Sequence, residues 1–134
     1  MIKLLISNPG EGKTKDMIKN ANDLLKTAKG DVVFIGESRE SILEINHDIR
    51  FINISEYPLD SSNEFIAFLH GLLGSNYDIQ RVFLDGILNV YIMTPEEICK
   101  WLEKLNGVSE HYKVNFEISI SISGETPECL KAYM

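Results

Sequence analysis

The sequence predicts an α/β fold: a three-layer α/β/α sandwich built on a mostly parallel, five-stranded sheet. Three observations lead there. Short apolar runs of strand length alternate with longer amphipathic segments along the whole chain. Every strand-length run except the third is apolar without strict alternation, the pattern of strands covered by helices on both faces. Glycines and polar residues collect just after the strands, on the carboxyl edge where parallel sheets bind ligands.

The elements follow in order. Residues 3–7 are a continuous apolar run that passes directly into a glycine-containing turn. From Lys13 onward Met17, Ile18, Ala21, Leu24, Leu25 and Ala28 recur at helical spacing, and Gly30 marks the stop. Residues 32–35 are β-branched and aromatic and read as a buried strand. Residues 38–45 form a short helix and residues 49–54 a third strand. Ser61, with Glu64 three residues on, opens a second long helix as a capping box. Its inner face is Phe65, Ile66, Phe68, Leu69, Leu72 and Leu73. Residues 81–85 are a strand that ends on an acid. Thr94-Pro95-Glu96-Glu97 is a helix start with a cap, proline at the first helical position and a glutamate closing the box. That helix turns Ile98, Trp101, Leu102, Leu105 and Val108 inward. Residues 116–123 are the last strand, and Thr126-Pro127 opens a short terminal helix.

With 134 residues the chain has room for one domain, spanning 1–134, and one sizeable core. At 44% hydrophobic and 25% charged it has the composition of an ordinary globular protein. No apolar run approaches the roughly eighteen residues needed to cross a bilayer, so no membrane partner is expected. The opening run Met1 to Ile6 is too short for a signal peptide, and the cytosol is the expected compartment. Cys99 and Cys129 have the spacing of neither a metal site nor a redox motif, so buried free thiols are expected. His47, His70 and His111 are scattered, and no metal is assigned to them. A net charge of −7 argues against nucleic acid as the main partner, although Lys13, Lys15, Lys19, Lys26 and Lys29 share the first third of the chain.

The chemistry concentrates in Ser7-Asn8-Pro9-Gly10-Glu11-Gly12-Lys13-Thr14, between a strand and a helix. It follows the phosphate-loop (Walker A) pattern G-x-x-x-x-G-K-[ST], with Ser7 in the opening position. Gly10 and Gly12 let backbone N–H groups turn inward around a phosphate. The helix that begins near Lys13 aims its free N–H groups and positive dipole end at the same point. Lys13 supplies a cation for the β/γ-phosphates and Thr14 a hydroxyl for Mg2+. Asn8, Pro9, Glu11 and Lys15 complete the expected nucleotide-binding set, with Glu11 offering its N–H inward and its carboxylate outward.

Residues 82–85 have the form of the second nucleotide motif, an apolar strand ending on an aspartate for magnesium's shell; alternatively Asp85-Gly86 is a solvent-facing turn. Hydrolysis would need a group that positions water beside the γ-phosphate. The place directly after Asp85 holds Gly86, which leaves Glu37, after the second strand, as the catalytic candidate beside Lys13. Glu37 also suits an exposed role beside the short helix. Ser123 either senses the γ-phosphate or simply ends a strand. None of Arg39, Arg50 and Arg81, the three arginines, is an obvious arginine finger.

The order of phosphate loop, Phe34-Ile35-Gly36-Glu37-Ser38 and Phe83-Leu84-Asp85 resembles the RecA-type branch of P-loop NTPases. That resemblance implies a catalytic glutamate after the second strand, at Glu37. Pro9-Gly10-Glu11-Gly12-Lys13-Thr14 also resembles the loop of bacterial tyrosine kinases. Over nearly its whole length the chain is similar to short bacterial proteins often labelled "twitching motility protein PilT". Those relatives carry glycine where this chain has Ser7, and serine where it has Glu11 and Gly86.

Two functions follow. One is a protein that binds ATP or another nucleoside triphosphate with Mg2+ and hydrolyses it slowly, as a homo-oligomer or with a protein partner. The other is a non-catalytic interaction or regulatory module of the same fold that binds nucleotide weakly or not at all. A small kinase is less well supported, since the sequence has no arginine-rich lid segment.

Overall fold

Residues 1–8 and 12–134, described by a computed structural model, run in the order β1 (Ile2–Ser7), α1 (Lys13–Leu25), β2 (Asp31–Gly36), β3 (Arg50–Asn53), α2 (Ser62–Ser75), β4 (Ile79–Leu84), α3 (Ile87–Val90), α4 (Pro95–Tyr112), β5 (Asn115–Ser121) and α5 (Glu128–Lys131). Two 3-10 turns, Arg39–Leu43 and Ile54–Glu56, flank β3. The strands form one sheet in the order β1-β5-β4-β2-β3, and every pairing in it is parallel. The expected α/β architecture is therefore present, with a sheet parallel throughout.

Side-chain alternation divides β2 between two cores. Val32 and Phe34 face α1, joining Met17, Ile18, Ala21, Ile45, Ile49 and Phe83. Val33 and Ile35 face the other way, into a larger core with Phe65 and Leu69 of α2 and Trp101, Leu102, Leu105 and Val108 of α4. Helices thus cover both faces, and the interior strand β2 buries both of its sides. Burying one such large side chain contributes roughly 1.5–3 kcal/mol.

The helix starts obey their local chemistry. Thr94 and Glu97 make the full reciprocal box, with Glu97 N–H donating to Thr94 Oγ1 at 3.2 Å and Thr94 N–H to Glu97 Oε1 at 3.1 Å. At α2 the box is only half made. Ser61 Oγ accepts from Glu64 N–H at 3.1 Å, but the Glu64 carboxylate turns back to Asp60 N–H at 2.5 Å.

Three expectations change. The last strand does alternate: Phe116, Ile118 and Ile120 enter the larger core, while Glu117, Ser119 and Ser121 fall on the opposite side. Glu117 is buried on the α1 side, with Lys3 Nζ at 3.7 Å and Asn20 Nδ2 at 3.5 Å. The strand ends at Ser121, so Ser123 lies beyond it in an exposed bend. Cys99 and Cys129 are not buried free thiols but a disulfide, with Cα atoms 6.0 Å apart. They meet because Leu130 of α5 docks into the same core as Trp101 and Leu102 of α4, and no spacing rule anticipates a pair 30 residues apart. Among the described residues no helix is long and apolar enough to cross a membrane.

Candidate functional site

In a parallel sheet the strand order decides which loops meet. β5 lies between β1 and β4, so the carboxyl ends of the first, fourth and fifth strands stand side by side although their sequences are far apart. Register Ser7↔Ser121 aligns the ends of β1 and β5, and Leu84↔Ile118 aligns β4 with β5. One residue beyond that last pair, Asp85 comes level with Ser119.

Asp85 is buried, at 7% exposure. A carboxylate there costs several kcal/mol unless its oxygens are satisfied. Oδ2 accepts from the Thr14 hydroxyl at 2.8 Å and Oδ1 from the Ser119 hydroxyl at 2.7 Å. Ser119 Oγ in turn accepts from Gly86 N–H at 3.2 Å. The start of α1 and the end of β4, 71 residues apart, are joined by one hydroxyl–carboxylate contact.

Lys13 opens α1, and Gly12 caps it at φ +70°, the left-handed region where glycine carries no Cβ penalty. Open space surrounds the position a Gly12 Cβ would take, so the backbone angle, not crowding, calls for glycine. The Lys13 ammonium donates to Leu5 O at 2.6 Å and to Ile120 O, the carbonyls near the ends of β1 and β5. Those bonds hold the ammonium against the carbonyls of two strands, while α1 begins at the same residue with backbone N–H groups that the helix itself cannot pair.

Glu37 follows β2 and is exposed. Its Oε1 accepts from Asn89 Nδ2 at 3.3 Å, and its side chain lies over Gly86. A Cβ on Gly86, at φ +75°, would stand 2.7 Å from Glu37 Oε1 and 2.8 Å from its Cδ. Glycine after Asp85 is therefore what lets Glu37 reach across.

These side chains line one cleft of about 190 Å³: Ser7, Gly12, Lys13, Thr14, Glu37, Asp85, Gly86, Leu88, Asn89, Ser119 and Ser121. A second, adjoining groove of about 440 Å³ is bordered by Thr14, Lys15, Glu37, Ser38 and Glu44. Of the expected site residues, Gly12, Lys13, Thr14, Glu37 and Asp85 converge and Lys15 borders the groove. Asn8 is exposed at the end of β1, its carbonyl accepting from Ser7 Oγ at 3.0 Å. Pro9, Gly10 and Glu11 lie outside the described residues. Ser123 is not brought to the cleft; Ser119 and Ser121 of β5 take that place.

Ser119, Gly86 and Asn89 were missing from the sequence-based set. The signal for Ser119 was the alternation of residues 116–123, whose polar side brings Ser119 and Ser121 to the cleft. Asn89 had no such signal, because α3 is a single turn placed by tertiary contacts. None of the arginines reaches the cleft. Arg39 pairs with Glu56, while Arg50 begins β3 and Arg81 lies in the first half of β4, away from the carboxyl edge.

Chemically, the arrangement offers an ammonium and a helix N-terminus for an anion, with a hydroxyl and a carboxylate beside them. Thr14 and Asp85 are hard oxygen donors of the kind Mg2+ takes alongside phosphate and water, rather than in an all-protein cage. Comparison with protein-family models and with curated proteins yields no match to this chain.

Proposed function

We propose that the chain binds a nucleoside triphosphate, ATP being the leading candidate, as a P-loop protein of the RecA-type branch, and hydrolyses it slowly. The observation that carries this reading is the meeting of Lys13, Thr14 and Asp85 in one cleft at the carboxyl edge of the sheet. That edge is where open parallel sheets take ligands. Lys13 and the N–H groups opening α1 would hold the β/γ-phosphates; Thr14 and Asp85 would hold the magnesium ion, which when bound neutralises phosphate charge. Ser119 keeps the Asp85 carboxylate oriented toward Thr14. Glu37, held by Asn89 over Gly86, is placed to orient a water molecule.

A thermal-shift titration with ATP, ADP, GTP and GDP, with and without magnesium, tests the reading. A ligand at about 100 times its dissociation constant adds near 2.7 kcal/mol of stability. That shift should vanish in Lys13→Ala; an unchanged shift in the variant would show that Lys13 holds no phosphate.

A second reading, a non-catalytic module of this fold, is favoured by two features. Gly86 stands directly after Asp85, and Glu37 is occupied by Asn89. Phosphate release that falls in Glu37→Gln, with binding retained, eliminates this module; release absent from the unmodified chain supports it.

A further inference from the structure

We propose that Cys99–Cys129 is a thiol–disulfide exchange site whose state sets how firmly residues 127–134 are clasped to the edge of β1. This inference stands independently of the nucleotide reading. The pair joins α4 to α5, with Cα atoms 6.0 Å apart. Cys129 is an exposed residue and Cys99 a half-buried one, so the bridge lies at the surface, with Cys129 as its outer end. Exposed disulfides are the ones that exchange readily, and in a reducing compartment they are opened.

The exchange partner is a dithiol. One of its thiolates attacks Cys129 Sγ, the S–S bond breaks, and Cys99 leaves as a thiolate that takes a proton from water. The second thiolate of the dithiol then attacks its own sulfur in the mixed disulfide and releases Cys129, which is protonated in turn. Two electrons pass to the protein and the dithiol leaves as a disulfide. Oxidation by a small disulfide is the reverse.

The consequence follows from what the clasp holds. β1 is an edge strand, and the outward-facing Leu4 N–H donates to Tyr133 O at 2.9 Å. Unpaired edge amides are templates for other strands, so a segment that covers one is protective. α5 is four residues long, far too short to persist on helix propensity alone. Its anchors are the buried Leu130, the Tyr133 side chain packed against the same core, the Leu4–Tyr133 bond and the disulfide. Met134 lies in a groove beside Leu5, Ser7 and Lys13, so the clasp runs along the strand that leads into the candidate site. The loop closed by the bridge contains all of β5, with Ser119 and the Ile120 carbonyl that receives Lys13. Reduction opens that loop and loosens the edge.

The full chain is treated with oxidised glutathione or with dithiothreitol. Native alkylation read by mass spectrometry counts thiols, and hydrogen exchange is followed at the Leu4 amide. The oxidised chain should take up no alkyl groups and the reduced chain two. Leu4 exchange should quicken on the order of tenfold or more on reduction, within the several-hundredfold that a closed loop of this length supplies in the chain-entropy picture. A Cys99→Ser/Cys129→Ser variant should exchange like the reduced chain whether or not dithiothreitol is present. Two alkylated thiols after oxidation, equal Leu4 exchange in both states, or a dithiothreitol response in the double variant would each overturn the proposal.

Discussion

Replacing Asp85 by asparagine removes a charge while keeping the shape of the side chain, and the two roles open to this residue then give opposite results. In the folded chain its oxygens accept from Thr14 at 2.8 Å and Ser119 at 2.7 Å, at 7% exposure. Hydrogen bonds to a charged acceptor contribute about 1.5–3 kcal/mol each and neutral ones about 0.5–1.5. Losing the charge therefore gives up about 2–3 kcal/mol over both bonds. It also relieves the desolvation of a buried carboxylate, a cost of several kcal/mol. The two changes offset, so Asp85→Asn without ligand should lie within about 1 kcal/mol of the parent, or above it. In a chain of this size that is a melting shift of no more than about 3–5 °C downward. With nucleotide, the magnesium-dependent part of the stabilisation should be lost. Differential scanning calorimetry with and without magnesium and ATP reads both quantities. A ligand-free loss beyond about 3 kcal/mol, with the magnesium dependence intact, would make Asp85 a structural carboxylate with no part in holding magnesium.

Other predictions follow from the same geometry. Gly86→Ala adds a Cβ 2.7 Å from Glu37 Oε1 at a left-handed φ; it should cost about 1–2 kcal/mol in unfolding titrations and abolish phosphate release, while nucleotide affinity by calorimetric titration stays within a few-fold. Thr94→Ala breaks the capping box of α4 and should lower stability by about 1 kcal/mol in urea titrations. Glu97 is held below the ordinary glutamate range, first by the Thr94 N–H and then by the Thr94 hydroxyl. Its contribution is therefore complete above the unfolded-state value and is lost as pH falls through the lower folded-state value. Glu97→Gln should flatten that part of the acid-unfolding curve, and an unchanged acid limb would remove the cap from the account.

Much of the fold was legible because its determinants are local. The spacing of Met17, Ile18 and Ala21 made α1 a helix with one buried face, and all three are buried. Thr94-Pro95-Glu96-Glu97 satisfied its own backbone groups within four residues, so its start was readable without any partner. Lys13 and Thr14 were readable as a pair because the loop that would present them is continuous in the chain. What sequence could not determine was adjacency across the sheet. That β5 inserts between β1 and β4 is decided by how the helices cover the two cores. The β5–β4 adjacency sets Ser119 against Asp85, and the β4–β2 adjacency sets Asn89 against Glu37. The disulfide belongs to the same class. Cys99 and Cys129 each sit in an unremarkable helical context, and they meet because Leu130 finds the core beside Trp101 and Leu102. Periodicity and capping act over one or two turns of chain, whereas burial joins surfaces without regard to sequence distance. The first kind of cause is written along the chain; the second exists only once it has folded.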